Sequence, residues 1–412
     1  MGEAISTVGV VGGGMMGAGI AAAAIQAGLS VRMTERDGAA AAAGRARVEA
    51  LFASRLARQR ITQAGFDEAL SRLQVAADYA PLADVDLAIE AVFEDMEVKK
   101  AVFAQLDQAC RPDALLATNT SYLDINEIAR SVRGPQRVLG LHFFSPAHVM
   151  PLLEVVVAAQ TDPQVLAAAV AFGKRLGKVP VRSGVCDGFI GNRMLAVYRA
   201  AADHMMEDGA SPYQIDRALR DFGFAMGPYQ VSDLAGGDIG WATRKRRAAG
   251  RDPAARYVQI PDRLCERGWF GQKTARGFYR YPEGSRIGQE DPEVLQVIED
   301  ERLRANVRAR EFSAAEIVAR YMAAMINEGA NVLHDGIALQ PRDVDTTLLH
   351  GYGFPRDKGG PMEYADAIGP ARVLADIRRY AEDEPLFWRP SPLLIDLAAR
   401  GARFASLNHS TP

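Results

Sequence analysis

Cysteine is scarce in this chain. Only three cysteines occur among the 412 residues, Cys110, Cys186 and Cys265, and they lie far apart without a CxxC pair. A disulfide framework and a cysteine-based zinc cluster are therefore not expected, and we predict that the chain holds no metal. The same scarcity favours a reducing compartment.

Long apolar runs and an excess of charge of one sign are also missing. No stretch approaches the roughly 18 to 20 apolar residues that a membrane-spanning helix needs, and no basic region followed by an apolar run opens the chain. The formal net charge of -3 provides no general attraction to nucleic acid or to an anionic membrane. We therefore expect a cytoplasmic protein without a nucleic-acid or membrane partner.

The first half of the chain predicts an α/β fold. Hydrophobic residues make up 48% and charged residues 24%, which is typical of a globular protein, and the length predicts two or three domains. Residues 7–12 and 30–34 are predicted strands around an alanine-rich helix at 15–27, which makes a βαβ unit. Residues 39–73 are predicted to be helical. A sheet of six or more strands ending near Ser183 follows from further apolar runs at 86–92, 114–118, 137–144 and 151–157.

A glycine-rich turn lies between the first predicted strand and the first helix. Gly12, Gly14 and Gly17 form G-x-G-x-x-G, in which the glycines permit a tight turn, close approach of a pyrophosphate and close helix packing. Glu35 ends the second strand, where a carboxylate accepts hydrogen bonds from ribose hydroxyls and repels a 2′-phosphate. The pattern predicts a Rossmann-like domain that binds NAD rather than NADP, although Arg36 is adjacent. Met16, inside the turn, joins the predicted cofactor contacts.

A histidine and a glutamate are embedded in two later apolar strands. His142 lies in Leu139-Gly140-Leu141-His142-Phe143-Phe144, and Glu154 lies in Leu152-Leu153-Glu154-Val155-Val156. Two ionisable groups in hydrophobic strands are costly unless they are paired, and strand–turn–strand geometry allows them to meet. A carboxylate beside an imidazole raises its basicity, so the pair is a candidate acid/base couple. A histidine packed in the core is the structural alternative for His142 alone.

The second half of the chain is mostly helical and contains an internal repeat. Each copy has a helix, an Asp-Gly pair, an Ile-Asp or Val-Asp pair, an aromatic-Gly-Phe triplet and a Gly-Pro element. The first copy runs from Leu195 to Pro228 and the second lies within 320–364. We therefore predict an NAD-binding Rossmann-like domain at 1–184, a first helical domain at 185–282, a linker with a helix at 283–310, and a second helical domain at 311–412.

The motifs together resemble the 3-hydroxyacyl-CoA dehydrogenase family, in the form with two C-terminal helical repeats that makes up the dehydrogenase part of multifunctional fatty-acid oxidation enzymes. The His142-Phe143-Phe144-Ser145-Pro146 segment with Glu154 is similar to the family's catalytic signature. Thr118-Asn119-Thr120-Ser121 resembles its active-site serine segment. The other similar segments are 90–94 with Lys99, 187–193, 271–274 and 277–279.

The resemblance implies NAD-dependent, reversible oxidation of an (S)-3-hydroxyacyl-CoA to a 3-oxoacyl-CoA by hydride transfer. In it, His142 removes the hydroxyl proton, Glu154 orients the imidazole, and Ser121 and Asn192 hold the substrate oxygens. Further implied cofactor contacts are Glu94, Lys99, Ser121, Ser145 and Lys273. The structural alternatives are a helix cap for Asn192, a turn for Ser121, a surface pair for Glu94 with Lys99, and a solvated loop for Lys273.

The helical stretch at 39–73 resembles the family's arm over the CoA moiety. It makes Arg55 and Arg58 candidate phosphate partners, since arginine suits phosphate geometry; a solvated arginine face is the alternative. Ser145 stands where the family often has asparagine, which affects only fine contacts. The chain begins close to the dinucleotide strand, without the hydratase domain that long relatives carry, so we expect no hydratase activity.

The tandem helical copy suggests how the chain is assembled. Short relatives resemble dimers that pair through one helical domain, and a second copy in the same chain can take the partner's place. A monomer with one active site is therefore favoured, and a homodimer is the alternative. The loop after the second copy's helix makes His350 or Tyr352 a predicted substrate contact.

Two other functions stay open at this point. A dehydrogenase of a free 3-hydroxy acid or a sugar acid would need a basic residue for the substrate carboxylate, and the sequence beside His142 contains none. A non-catalytic NAD-binding or structural protein would have no need of His142, Glu154, Ser121 and Asn192 together.

Overall fold

The structure is a computed structural model that describes residues 5–409. It divides into two compact units. The first contains the chain up to Arg193 together with Asp335–Tyr352, and the second contains Met194–His334 together with the chain from Gly353 onward. Two of the boundaries between the units therefore fall inside the second helical copy, whereas the predicted boundaries at 184, 282 and 310 fall outside the copies.

The first unit is built around one sheet. Its strands are β1 (Thr7–Val11), β2 (Ser30–Thr34), β3 (Leu73–Ala76), β4 (Leu87–Glu90), β5 (Leu115–Thr118), β6 (Val138–Phe143), β7 (Leu152–Val156) and β8 (Val179–Ser183). The helices between them are α1 (Met15–Gln26), α2 (Gly38–Ala57), α3 (Gln63–Ser71), α4 (Met96–Ala109), α5 (Ile125–Ala129) and α6 (Pro163–Arg175).

The strand order is β3-β2-β1-β4-β5-β6-β7-β8. All neighbouring pairs are parallel except β6 and β7, which run antiparallel. Because the order reverses direction at β1, the carboxyl ends of β1 and β4 flank a switch point, where open α/β sheets bind their ligands. The predicted α/β class is confirmed.

Burial explains why the central strands lack the alternation of half-exposed strands. Every residue of β4, β6 and β7 is buried, since helices cover both faces of the sheet. Helix α1 is alanine-rich because nine consecutive residues from Gly17 to Ile25 are buried, some against the sheet and others against α2. Small side chains allow that close approach.

The structure adds detail to the helical stretch predicted at 39–73. Two helices replace one, because α2 ends at Ala57 and the Thr62 hydroxyl caps α3 by accepting a hydrogen bond from the Gly65 amide. The four-residue strand β3 then joins the sheet edge beside β2. It is short and follows a helix directly, so it gave no separate signal in the sequence.

The remainder of the chain is helical. Its helices are α7 (Gly191–Asp208), α8 (Pro212–Phe222), α9 (Pro228–Ala235), α10 (Gly237–Arg247), α11 (Ile260–Glu266), α12 (Pro292–Arg304), α13 (Ala314–His334), α14 (Pro341–Gly351), α15 (Pro361–Ile368), α16 (Pro370–Ala381) and α17 (Pro392–Arg400). A small antiparallel pair, β9 (Tyr279–Arg280) with β10 (Gln289–Glu290), lies before α12. No helix among residues 5–409 is long and apolar enough to cross a bilayer.

The segment Asp335–Tyr352, which carries α14, is tied to the first unit by specific contacts. Arg193 pairs with Asp335 at 2.7 Å, and the Gly184 amide donates to the Ile337 carbonyl at 2.7 Å. Helix α14 packs on β7 and β8. A Cβ added to Gly351 would lie 2.4 Å from the Leu152 side chain, so the end of α14 closely approaches β7.

Candidate active site

The glycine turn lies at the switch point of the sheet. Gly12 has φ +98°, and a Cβ there would lie 2.7 Å from the Ala91 carbonyl oxygen. A Cβ on Gly17 would lie 1.8 Å from the Gly12 carbonyl oxygen, so only glycine allows α1 to start this close to β1. Gly14 is exposed with no atom within 4 Å of its Cβ position. The turn therefore forms an open cradle at a helix N-terminus, which fits a pyrophosphate.

Glu35 faces the same turn from the end of β2. Its Oε1 accepts a hydrogen bond from the Gly13 amide at 2.6 Å. The Arg47 guanidinium donates to the Gly13 carbonyl at 3.0 Å, a contact that the sequence did not suggest. Glu35 is thus placed beside the cradle, and its role as the ribose partner stays a prediction.

His142 and Glu154 lie directly opposite each other on the antiparallel strands β6 and β7. His142 Nδ1 is 2.7 Å from Glu154 Oε2, and the two residues are 4% and 0% exposed. Glu154 Oε1 accepts hydrogen bonds from the Ile190 and Gly191 amides at 3.1 and 3.0 Å. A hydrogen bond from Nδ1 to Oε2 places the imidazole proton on Nδ1. The lone pair of Nε2 can then act as a base.

Ser121 lies next to His142 Nε2. Its hydroxyl oxygen is 3.1 Å from His142 Nε2. The loop that carries it follows β5 and is held by the Glu94 carboxylate, which accepts hydrogen bonds from the Thr120 hydroxyl at 2.6 Å and the Ser121 amide at 2.9 Å. Asn119 in the same loop accepts from the Phe143 amide at 2.9 Å. The serine is therefore fixed relative to the imidazole.

An ion cluster around a buried lysine lies beneath this loop. The Lys99 ammonium, on a residue that is 1% exposed, lies 2.7 Å from Glu90 Oε1 and 3.3 Å from Glu94 Oε2. Glu90 also accepts from the Thr118 hydroxyl at 2.7 Å. Glu94 and Lys99 do pair, and the lysine is buried whereas the glutamate is exposed. The contacts give both a role in holding the Ser121 loop; their contact with the cofactor stays a prediction.

Asn192 lies in the first turn of α7 and is half-buried. Its Oδ1 accepts a hydrogen bond from the Tyr352 hydroxyl at 2.9 Å. The Tyr352 ring contacts Phe144 edge to face, with centroids 5.6 Å apart, and Phe144 lies 4.5 Å from the His142 ring. The structure thus brings Tyr352 to the predicted catalytic group, whereas His350 lies half-buried in the last turn of α14.

Arg55, on α2, faces the loop between β6 and β7. Its Nε is buried and has no hydrogen-bond partner among residues 5–409, and the same holds for His148 Nδ1. Burial lowers the pKa of His148, and the nearby Lys178 and Arg55 cations lower it further. Arg58 is exposed at the end of α2. Arg55 and the half-buried His148 therefore form a polar corner in which the arginine supplies the positive charge. His148 was missed because an isolated loop histidine carries no spacing signal.

Large apolar side chains are exposed around the cradle and were also missed. Met15 is 76% and Phe93 77% exposed, at the start of α1 and in the loop after β4. The exposed Ser145 hydroxyl lies 3.9 Å from the Met15 sulfur, and Met16 packs against the core. Unlike these residues, Lys273 lies in the second unit, where it pairs with Asp238. The predicted cofactor roles of Met16, Ser145 and Lys273 stay predictions.

Within the described residues, no cluster of three or more histidine, cysteine, aspartate or glutamate side chains is arranged to hold a metal ion.

A dinucleotide cradle at the switch point, with a buried histidine–carboxylate pair at the same sheet edge, defines the class of dinucleotide-dependent oxidoreductases. The chain belongs to the 3-hydroxyacyl-CoA dehydrogenase family. Residues 7–186 match that family's NAD binding domain, and residues 188–281 and 317–403 match its C-terminal domain. The predicted family, enzyme class and cofactor NAD are confirmed.

One relative with a solved structure covers nearly all of this chain, and another covers about two thirds of it. The 3-hydroxybutyryl-CoA dehydrogenase of Escherichia coli K12 is 29% identical with a TM-score of 0.83, over 96% of this chain and 99% of that one. The (S)-3-hydroxybutyryl-CoA dehydrogenase PaaH1 of Ralstonia eutropha is 31% identical with a TM-score of 0.62, over 68% of this chain and 100% of that one.

The curated relatives are longer. The peroxisomal bifunctional enzyme of Danio rerio is 44% identical over 97% of this chain and 57% of its own length. The chain thus spans little more than half of that relative. The expected cytoplasmic location is wrong: the relatives from fish, mammals and plants are named peroxisomal or glyoxysomal enzymes.

Proposed function

We propose that this chain catalyses the reversible, NAD-dependent oxidation of an (S)-3-hydroxyacyl-CoA to the 3-oxoacyl-CoA. The observation that carries the proposal is the His142–Glu154 pair, with its free Nε2 next to Ser121. NAD, when bound, accepts the hydride. The family match and the 3-hydroxybutyryl-CoA named for two structural relatives support this substrate class.

The chain's own residues supply the proton transfer. His142 Nε2 takes the proton of the substrate 3-hydroxyl as the C3–H bond electrons leave as hydride and the C3–O double bond forms. Glu154 neutralises the imidazolium, and the two amides on its other oxygen keep the carboxylate in place. In the reverse direction the imidazolium returns the proton. The Ser121 hydroxyl, held by its loop, binds the reacting oxygen.

The CoA moiety also has candidate partners in the first unit. Arg55 Nε and His148 Nδ1 are buried polar atoms without a partner among the described residues, and such atoms cost free energy unless a ligand or water binds them. Arginine suits phosphate oxygens. We therefore retain Arg55 as a phosphate partner. Arg58, which is exposed at the end of α2, is retained as a contact at the solvent side of the CoA site. A free hydroxy acid, the alternative substrate, has no phosphate to fill this corner.

The test compares two histidines. Purified protein is assayed by NADH absorbance with 3-hydroxybutyryl-CoA and with free 3-hydroxybutyrate, and His142→Ala is expected to lower kcat by ~10²–10⁴-fold. The matched control is His204→Ala, which removes a buried histidine 3.1 Å from Glu384 in the second unit. It should retain turnover if it remains folded by circular dichroism.

Two results would overturn the proposal. One is undiminished turnover in a folded His142→Ala protein, since the base would then lie elsewhere. The other is equal turnover of the free acid and the CoA thioester, which would move the function to the hydroxy-acid alternative.

A further inference from the structure

Tyr352 reaches the site from a distant part of the chain. It ends α14, in the second helical copy, yet it belongs to the first unit and donates its hydroxyl to Asn192 Oδ1 at 2.9 Å. Its ring also covers Gly191, because a Cβ on that glycine would lie 2.4 Å from the Tyr352 ring and hydroxyl. The tyrosine is therefore packed at a fixed position against the first turn of α7.

The contact determines what the asparagine can offer. An asparagine amide carries one acceptor oxygen and one NH₂ donor, and either end can face a ligand. When the Tyr352 hydroxyl donates to Oδ1, the NH₂ group is left to face away from the tyrosine. A substrate carbonyl oxygen, which accepts hydrogen bonds, requires that NH₂ group.

Packing around the tyrosine supports the same role. Its ring meets Phe144 edge to face at 5.6 Å, and Phe144 meets the His142 ring at 4.5 Å. The adjacent Gly191 amide donates to Glu154. One tyrosine thus borders both the amide donor and the residues around the acid/base pair.

We infer that Tyr352 is a positioning residue, which orients the Asn192 amide so that its NH₂ group donates to a carbonyl oxygen of the acyl thioester. The inference rests on the proposed function and assigns Tyr352 an action through Asn192, in place of the direct substrate contact predicted from the sequence. In the first helical copy the corresponding position of the aromatic-Gly-Phe triplet is Phe222, a residue without a hydroxyl.

The test is a double-mutant cycle on the full chain with 3-hydroxybutyryl-CoA and NAD. Tyr352→Phe keeps the ring and removes the hydroxyl, and a lost hydrogen bond of ordinary net strength corresponds to a roughly tenfold fall in kcat/KM. In the Asn192→Ala background the same change should have no further effect, since there is no amide left to orient. Tyr364→Phe, which removes a half-buried tyrosine hydroxyl in the second unit, is the matched control and should keep full activity.

The outcomes separate this inference from the proposed function. Equal losses from Tyr352→Phe in both backgrounds would show a direct role and overturn the inference, as would full activity of Tyr352→Phe. A wild-type protein without turnover of the CoA thioester would instead overturn the proposed function. The melting temperature of Tyr352→Phe should fall by no more than the few degrees that one hydrogen bond accounts for, and a larger fall would indicate a structural loss.

Discussion

The two helical copies continue beyond the Gly-Pro element, and each has an aspartate six residues after the glycine of that element, but they bury this aspartate differently. In the first copy, Asp233 accepts hydrogen bonds from the Phe278 and Tyr279 amides, both at 2.9 Å. In the second copy, Asp366 accepts from the Phe404 and Ala405 amides at 2.7 and 2.8 Å. Asp233 is fully buried and also bonds a tyrosine hydroxyl, whereas Asp366 is half-exposed.

Burial gives the first copy a distinct electrostatic property. It raises the pKa of Asp216 and of Asp233 to about 6, although both carboxyls accept backbone hydrogen bonds that oppose the shift. Asp216 bonds the Tyr229 and Gln230 amides at the start of α9. The comparison teaches that both copies form the same aspartate–amide hydrogen bonds, and that the burial of the aspartate determines how far its pKa is raised.

The largest expected effect on stability is at the residue that precedes the two amides bonded by the aspartate in each copy. A Cβ on Gly277 would lie 2.1 Å from Asp233 Oδ1, so Gly277→Ala should destabilise the protein by about 3 kcal/mol through overpacking. The exposed Arg403 holds that place in the second copy, and Arg403→Ala should cost less than about 0.5 kcal/mol. Urea denaturation measures both; similar midpoints would contradict the comparison.

The second effect concerns pH. Because the folded pKa of Asp233 is raised, its carboxyl stabilises the fold at low pH and loses that contribution as pH rises through about 6. The penalty of Asp233→Asn should therefore shrink by about 2 kcal/mol between pH 4.5 and pH 7. Denaturation at the two pH values tests this, with Asp366→Asn as the matched variant. A stability cost of Asp233→Asn that increases with pH would contradict a raised pKa for Asp233.

A smaller effect is expected where each aromatic-Gly-Phe triplet turns. Gly223 has φ +130°, with Pro355 3.1 Å from its Cβ position, whereas Gly353 has φ +67° and open space. Other residues tolerate the second conformation better than the first. Gly223→Ala should cost about 2 kcal/mol and Gly353→Ala about 1 kcal/mol, measured as shifts in the urea midpoint. The opposite ranking would show that packing outweighs backbone conformation here.

The smallest effect is expected at Phe222. Its ring packs against Phe224 and Tyr364 within the second unit, at 6.0 and 5.3 Å. Phe222→Tyr adds the hydroxyl that Tyr352 has and should change stability by less than about 0.5 kcal/mol, with kcat unaltered. A clear loss of activity would mean that the first copy also acts on the site.

Much of the fold was accessible from local sequence patterns. Six of the eight sheet strands were predicted, because buried parallel strands are continuous apolar runs. The pairing of His142 with Glu154 was also accessible, since an unpaired ionisable group in such a strand is costly. These features depend on residues close together in the chain.

The contacts that could not be predicted join distant segments. A substrate contact was predicted for Tyr352, but nothing near it indicates that it bonds Asn192, which lies 160 residues away, or that α14 belongs with the sheet. Lys99 resembled a surface partner of Glu94 because its burial depends on how α4 packs. The monomer, with a homodimer as its alternative, likewise stays a prediction.

The lysine beneath the serine loop has one more consequence. Ions in solution screen charges that water can reach, but they cannot enter between Lys99 and Glu90, whose side chains are 1% and 0% exposed. Raising the ionic strength should therefore weaken attachments such as the exposed Arg36–Asp37 pair and leave the Lys99–Glu90 pair intact. The link between α4 and the end of β4, beneath the Ser121 loop, is thereby insensitive to salt concentration.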